Sequence, residues 1–403
     1  MRSARPLLLL AVTAGCYGMR PIGGARGGAG GQTGGTAGAQ GGPGGETGSA
    51  GLSGAGKGGT AGPQGGNGGA NGTGASSGAS GGGTGGVGGF GAGGSATGGS
   101  APIFVGGPCV ATPDHIAFEV FGRSSDAHIY RRAYDGTNWG TWSNLPALDA
   151  TLIDARSDLD CSASGTSVHI VATGVNPVGA LLHALGSGTT YNPFFRDLTS
   201  YAFGPGASIA DVDDSRYTLA ALGGGSAFPA IYEIGDTTMP KELTPISTQT
   251  DSFRSAPDIA KQPSGASGLT FFAAFDYSGA LAIYQHVISS GGASWAAPIK
   301  LSSPAGAFAF SPAICVEIGS FGIYSVNVAA VAGGQLWYAR TSTITSPFSS
   351  WAPIAAAPAS SPDCAVVGSD SIVHIVALSG AGTVLDVNGK GTSWVATDLG
   401  APR

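Results

Sequence analysis

From residue 102 onward, short runs rich in Val, Ile, Ala, Phe and Tyr alternate with Gly, Ser, Asp and Asn turns. That pattern predicts strands, and no stretch of helical length shows a 3.6-residue apolar period. The runs recur six times with a period of about fifty residues, and each copy ends in a similar closing segment. These are Trp139–Leu145, Phe194–Leu198, Pro240–Leu243, Trp295–Leu301, Trp351–Ile354 and Trp394–Leu399. A repeat of this length built from short strands predicts a β-propeller, in which each copy is one blade and buries its faces only against its neighbours.

Within the first copy the turns separate four strands: Cys109 to Thr112, His115 to Gly122, His128 to Tyr134 and Thr141 to Leu145. The matching second strands are Ser167 to Thr173, Arg216 to Leu222, Leu269 to Phe275, Ser325 to Val331 and Ser371 to Leu378. They are apolar on both faces, as strands sandwiched between two other sheets must be. Third strands share a polar or aromatic position at Tyr130, His183, Tyr232, Tyr284, Tyr338 and Asp386, which sets the register of the repeat. The third copy, from about Ile209 to Leu243, is the most eroded. The fold expected is all-β: a six-bladed propeller of four-stranded antiparallel blades over residues 102–403, with Ile103-Phe104-Val105 adding an edge strand and no strand exchanged between the termini.

The first hundred residues differ in kind. Arg2 and Arg5 precede the apolar run Leu7 to Val12 and then Thr13-Ala14-Gly15-Cys16, so residues 1–22 read as an export segment too short to span a bilayer as a helix. The small-small-Cys ending resembles the lipobox of bacterial lipoproteins, which implies acylation of Cys16 and a membrane anchor; Thr13 departs from the usual Leu or Val. The alternative is an ordinary secretory cut near Ala14 or Gly18. Residues 23–101 hold more than half of the chain's 73 glycines and almost no charge, too little apolar surface to offset ordering entropy. A disordered linker with its ends on the order of 50 Å apart is expected. Its Gly-x-Gly-x-x-Gly matches follow no strand and open no helix, so they carry no nucleotide signal.

Composition narrows the class. A net charge of -6, with 10% charged residues, leaves no basic footprint for nucleic acid and suits an exported domain. Beyond Cys16, the cysteines Cys109, Cys161, Cys315 and Cys364 read as falling at the same place in the first strands of the first, second, fifth and sixth copies. These copies are consecutive around a closed ring, so Cys109 with Cys161 and Cys315 with Cys364 are candidate disulfides; the alternative is that a small apolar residue suits a crowded inner position. No Cys-x-x-Cys or paired-His spacing suggests a metal, and no cofactor motif is present.

The segment His115 to Leu145, through Arg123, Asp126, Tyr130, Arg132, Tyr134-Asp135-Gly136 and Trp139 to Trp142, resembles a blade of the PLL-like bacterial β-propeller lectins. The likeness is specific in this copy, recognisable in copies four to six and faint in two and three, and those lectins have seven blades. The resemblance implies glycan partners, fucosylated ones first. Sugar sites combine an aromatic platform with a few fixed polar groups. Arg123, Asp126, Tyr130, Arg132, Trp139 and Trp142 form one candidate set, and Trp337, Tyr338, Arg340 and Trp351 a second. A Trp repeated at one position of each blade is equally a packing residue.

Two other functions stay open. One is a surface propeller that serves as a protein-interaction or structural module. The other is a degenerate sialidase-like glycosidase, since Tyr134 to Trp139 resembles half of a sialidase Asp-box turn, although a carboxylate pair and an arginine cluster are not evident. The acidic groups at Asp149, Asp154, Asp158 and Asp160, and at Asp211, Asp213 and Asp214, read as solvated connections. Binding without catalysis is the expectation. If Cys16 is the acylated N-terminus, mass spectrometry of the mature chain will find the lipid on it, and Cys16→Ser will release the protein from membranes; an unmodified start downstream of Cys16 refutes anchoring.

Overall fold

The computed structural model describes residues 101–403 apart from 114–116, 177, 199–202, 214–215, 224–228, 236–240, 243–252, 262–268, 290–291, 319–323, 343–346, 368–370 and 403. The export segment, Cys16 and nearly all of the Gly-rich stretch lie outside the described residues. Among those described, no helix is long and apolar enough to cross a membrane.

Six antiparallel sheets follow one another along the chain, each a simple meander. Blade one comprises Cys109–Ala111, Phe118–Arg123, His128–Tyr134 and Ser143–Asp149. Blade two begins at Asp160–Ser164, blade three at Phe203–Asp213, blade four at Asp258–Lys261, blade five at Phe308–Ile318 and blade six at Asp363–Val367. In blades two and four the outer position is shared by two short strands, Thr190–Tyr191 with Phe195–Leu198 and Gly292–Trp295 with Ile299–Leu301. The first strand of each blade packs beside that of the next, and blade six returns to blade one, so the ring closes as a six-bladed β-propeller.

Second strands explain the core. Phe118–Arg123 and the described part of Tyr324–Ala332 are buried at every position, because one face meets the blade before and the other the blade after. In blade one, Phe118, Val120 and Tyr130 join the cluster shared with blade six, while Phe121 and Ile129 join the cluster shared with blade two. Side chains alternate in this way along regular strands.

Among the described residues neighbouring first strands make no ladder with each other, so the axis is held by other means. Pro108, Pro257 and Pro362 each immediately precede a first strand, and Pro312 sits in the register irregularity between Ala309 and Ala313 of blade five, places where the missing N–H costs little. Asp363 of blade six accepts from Val110 N of blade one at 2.7 Å, and Asp258 of blade four accepts from Ile314 N of blade five at 2.6 Å. Asp160 of blade two accepts from Ile209 N of blade three in the same manner. Between blades three and four, Ser208 donates to Asp258 at 2.7 Å and accepts from Ile259 N at 2.9 Å. Disulfides Cys109–Cys161 and Cys315–Cys364 join blade one to two and five to six, with Cα atoms 5.7 and 5.8 Å apart. All six seams are thus fastened. Each disulfide closes a loop of about fifty residues, a constraint on the unfolded chain of about 4 kcal/mol in the entropic account. The two sulfurs and Asp363 cluster within 4.8 Å, but cysteines joined to each other offer no thiolate to a metal.

Two sequence readings are corrected here. The cysteines do not share one level: Cys109 sits level with Asp160 and Asp363, Cys161 and Cys364 are one residue further along, and Cys315 two. A bridge between adjacent blades needs one side chain pointing forward and one backward, which requires positions of opposite parity. Asp160 is no solvated connection either, since it is buried at the axis with Asp258 and Asp363.

The chain ends meet at the seam between blades six and one. Phe104 N donates to Gly382 O at 2.9 Å, Ser125 N to Ile103 O at 2.8 Å, and Phe104 bridges Ser124. The Ile103–Val105 segment therefore does lie at an edge, as a clasp across two blades. Gly382 has φ +73°, and a Cβ there would sit 2.9 Å from that of Ile103, so glycine is needed both for the turn and for the clasp.

Burial raises all three axial carboxyls, Asp258 to about 6, and the nearby Asp258 adds to the rise of Asp160 and Asp363. Raised carboxyl values favour the folded state fully below pH of about 4, and the contribution fades as pH climbs through about 6. Equilibrium unfolding should show the stability advantage of wild type over Asp258→Asn shrinking by on the order of 2 kcal/mol between these values. An advantage that grows with pH would contradict the assignment.

Candidate inter-blade binding sites

Backbone pairing defines the level at which blades face one another. Tracing first to second to third strand gives Cys109–Phe121–Arg131, Asp160–Val171–His183, Asp258–Ala273–Ile283, Ala313–Ala329–Tyr338 and Asp363–Val376–Asp386. His183, Tyr338 and Asp386 share one level, but in blades one and four that level belongs to Arg131 and Ile283. Tyr130 and Tyr284 are one residue away and join clusters on the opposite face. The aromatic repeat read from the sequence was one residue out of step there, because tyrosine occurs on both faces of a doubly buried strand.

At the true level, four blades place a polar pair on the face toward the next blade. Blade one pairs Arg131 with Glu119, Nε donating to Oε2 at 2.7 Å and Nη2 to Oε1, and the carboxylate raises the arginine. Blade two pairs His169 with His183 at 2.9 Å. In blade five, Tyr338 donates to Asn327 at 2.6 Å, and in blade six His374 meets Asp386 at 2.9 Å. Blade four has Phe271 and Ile283 instead.

Aromatic residues that follow the third strand of the succeeding blade approach these faces. Tyr191 of blade two reaches Glu119 of blade one at 3.5 Å and stands edge-on to Phe121. Trp394 of blade six stands edge-on to Tyr338 of blade five with centroids 4.7 Å apart. Trp139 of blade one packs on Phe118 and Tyr134, which rest on His374 of blade six. Phe348 of blade five faces Phe271 and Ile283 of blade four across a cavity of about 130 Å³.

The cleft between blades five and six has the broadest polar set. Arg340 Nη2 donates to Ser325 Oγ at 3.0 Å and to Glu317 Oε2 at 3.4 Å, on the same face as the Tyr338–Asn327 pair, whose tyrosine meets Trp394. The Arg340 side chain stays 29% exposed. A guanidinium and a carboxylate on the face whose tyrosine meets an indole of the next blade are groups that suit a small polyhydroxylated ligand.

The candidates chosen from sequence divide by strand parity. Arg132, Trp139 and Trp142 do gather: the Arg132 guanidinium lies 5.7 and 5.9 Å from the two ring centroids and donates to Gly140 O and Leu399 O. Trp142 donates to Leu399 O at 3.0 Å and leans on Phe104 with centroids 4.5 Å apart, so this set fastens the C-terminal residues of blade six to blade one. Asp126 and Tyr130 hydrogen-bond at 2.7 Å, and burial with that carboxylate pushes the phenol up to about 12. Arg123 points the other way and is a brace, 8% exposed, donating to Asp154 O and Ala155 O at 3.0 and 3.1 Å. In blade five, Tyr338 and Arg340 belong to the face toward blade six, whereas Trp337 and Trp351 pack in the cluster toward blade four. Their indoles donate to Ala332 O at 3.0 Å and Ser302 O at 2.8 Å. Glu317, Ser325 and Trp394 were missed, since nothing local in the sequence joins a first-strand acid to an indole on the next copy.

No protein-family model and no curated protein sequence matches the chain. Solved structures do. AofleA of Arthrobotrys oligospora superposes with a TM-score of 0.57 at 11% identity, over 77% of this chain and 93% of that one. The Aleuria aurantia lectin bound to Fucα1-6GlcNAc gives 0.56 at 13% identity, over 74% and 98%. Another structure of the Aleuria aurantia lectin, described as a six-bladed β-propeller with a novel fucose recognition mode, gives 0.54 at 13% identity, over 75% and 97%. At these identities the likeness establishes the propeller fold.

If Trp142 is a fastener and not a free platform, Trp142→Phe will lower stability by about 1 kcal/mol through the lost Leu399 hydrogen bond, and Trp142→Ala by about 3 kcal/mol. Chemical denaturation of both variants measures this, and two neutral results would return Trp142 to the list of ligand contacts.

Proposed function

We propose that this chain is a glycan-binding propeller that holds single sugar units in clefts between blades, without catalysis. The observation that carries the reading is the blade-five face toward blade six, where Arg340, Glu317 and Ser325 form a hydrogen-bonded charged group on the same face as Tyr338, the residue that Trp394 of blade six meets. An indole covers the C–H face of a pyranose, while guanidinium and carboxylate supply charge-assisted hydrogen bonds to its hydroxyls. Fucosylated glycans are the first class to examine. They are the ligands named for similar propellers, one bound to Fucα1-6GlcNAc and another to α-methyl fucoside. Anchoring through an acylated Cys16 and reach through the Gly-rich stretch are part of the proposal, and would place several copies on one surface so that weak single sites add up.

Against a glycosidase stands the acid of the sialidase-like turn. Asp135 is fully exposed and accepts from Thr137 N and Asn138 N at 2.8 and 2.7 Å, the work of a turn residue, and these bonds lower its carboxyl below the usual range. A protein-interaction module would share the fold but would not need an arginine–carboxylate–indole cleft.

The full-length protein on a glycan array should retain fucosylated glycans, and titration with α-methyl fucoside should give weak binding, micromolar to millimolar on the order expected for a monosaccharide. Arg340→Ala should weaken binding about tenfold or more, and it also strips the buried Glu317 of its cation. Arg340→Lys, which keeps the charge but not the planar donor set, is therefore the companion variant: reduced binding with a near-wild-type unfolding transition separates a ligand contact from a purely structural one. Folded wild type that binds no glycan at millimolar sugar would overturn the reading.

A further inference from the structure

The cleft between blades four and five departs from the others. Its cavity of about 130 Å³ is walled by Phe271, Ile283 and Ile299 of blade four and by Val326 and Phe348 of blade five. Gln285 and Thr341 add uncharged polar groups, and among the described residues no charged side chain lines it. The blade-four face lacks the polar pair found in blades one, two, five and six, because Phe271 and Ile283 occupy those levels. Ala296 and Ala297, both exposed, form the mouth where larger side chains would close it.

A sugar fits this chemistry poorly. Most of its hydroxyls would lose water against hydrocarbon with only an amide and a hydroxyl in return. A flat apolar molecule fits well: an apolar cavity of about 150 Å³ lined by aliphatic and aromatic side chains is known to stay dry and accept benzene. The half-buried Gln285 amide could pair one polar substituent on such a ring. We infer that the cavity between blades four and five is a binding site for a small uncharged aromatic molecule of benzene to phenol size, separate from the sugar clefts.

The test is titration of the full-length protein with phenol and toluene, followed by calorimetry and ligand-observed magnetic resonance. Saturable binding is expected in the range of about 0.1 to 1 mM, given so few ligand atoms. Ala297→Phe, which plugs the mouth from an exposed position, should abolish it. Gln285→Leu keeps the volume and should remove any preference of phenol over toluene. Excess α-methyl fucoside and the Arg340→Ala substitution should leave aromatic binding unchanged. Absence of saturation up to about 10 mM, or binding that survives Ala297→Phe, overturns the inference. Competition by the fucoside also overturns it, while supporting the glycan reading for this cleft.

Discussion

Adjacent first strands in this ring are not hydrogen-bonded to each other, and everything else in the molecule depends on how that gap is bridged. The second, third and fourth strands satisfy one another inside each sheet, but a propeller without fastened seams is six sheets leaning together. Here the fasteners differ in kind. Carboxylates on alternate blades, Asp160, Asp258 and Asp363, each reach a backbone N–H of the following blade. Two disulfides and the Ser208–Asp258 contact hold the other three seams. Putting carboxyls where water is excluded is costly, and the accepted N–H groups offset part of that cost.

The same geometry makes the clefts. Because each blade meets its successor face to face at a fixed level, a pair such as Glu119–Arg131 or Asn327–Tyr338 recurs in space though the residue types change. The aromatic from the following blade then lands on a prepared surface. Variation at one level therefore produces an ion pair in one cleft, a histidine pair in another and a hydrocarbon cavity in a third, without disturbing the sheets. Such a scaffold can diversify ligands while the axis stays constant.

Much of the fold could be read from the residues: the period, the four strands per copy and the all-β class follow from turn spacing and apolar runs. Parity could not. A half-exposed strand announces its faces by alternation, but Phe118–Arg123 and Ser325 to Ala332 are buried on both, so a slip of one residue leaves the pattern equally apolar. That is why Tyr130 stood in for Arg131, and why Trp337 was grouped with Tyr338 although the two face different blades. Arg340 was legible as a charged residue in an apolar strand. Its partners were not, since Glu317 lies on another strand and Trp394 on another copy.

The closing seam has a mechanical consequence. Blades one to six are joined in series by the chain itself, so only the junction of blade six with blade one lacks a backbone connection, and no disulfide crosses it. A pull on the chain ahead of residue 101 would first load the Phe104–Gly382 hydrogen bond, which crosses that junction, and the Ser125–Ile103 bond, which ties the same segment to blade one. Once these yield, the force arrives at Cys109, whose bond to Cys161 passes it into blade two instead of letting blade one unravel. At the far side, Cys315–Cys364 ties the last blade to blade five. Under tension the propeller would open like a split ring with reinforced ends, its intermediate blades and their clefts still assembled.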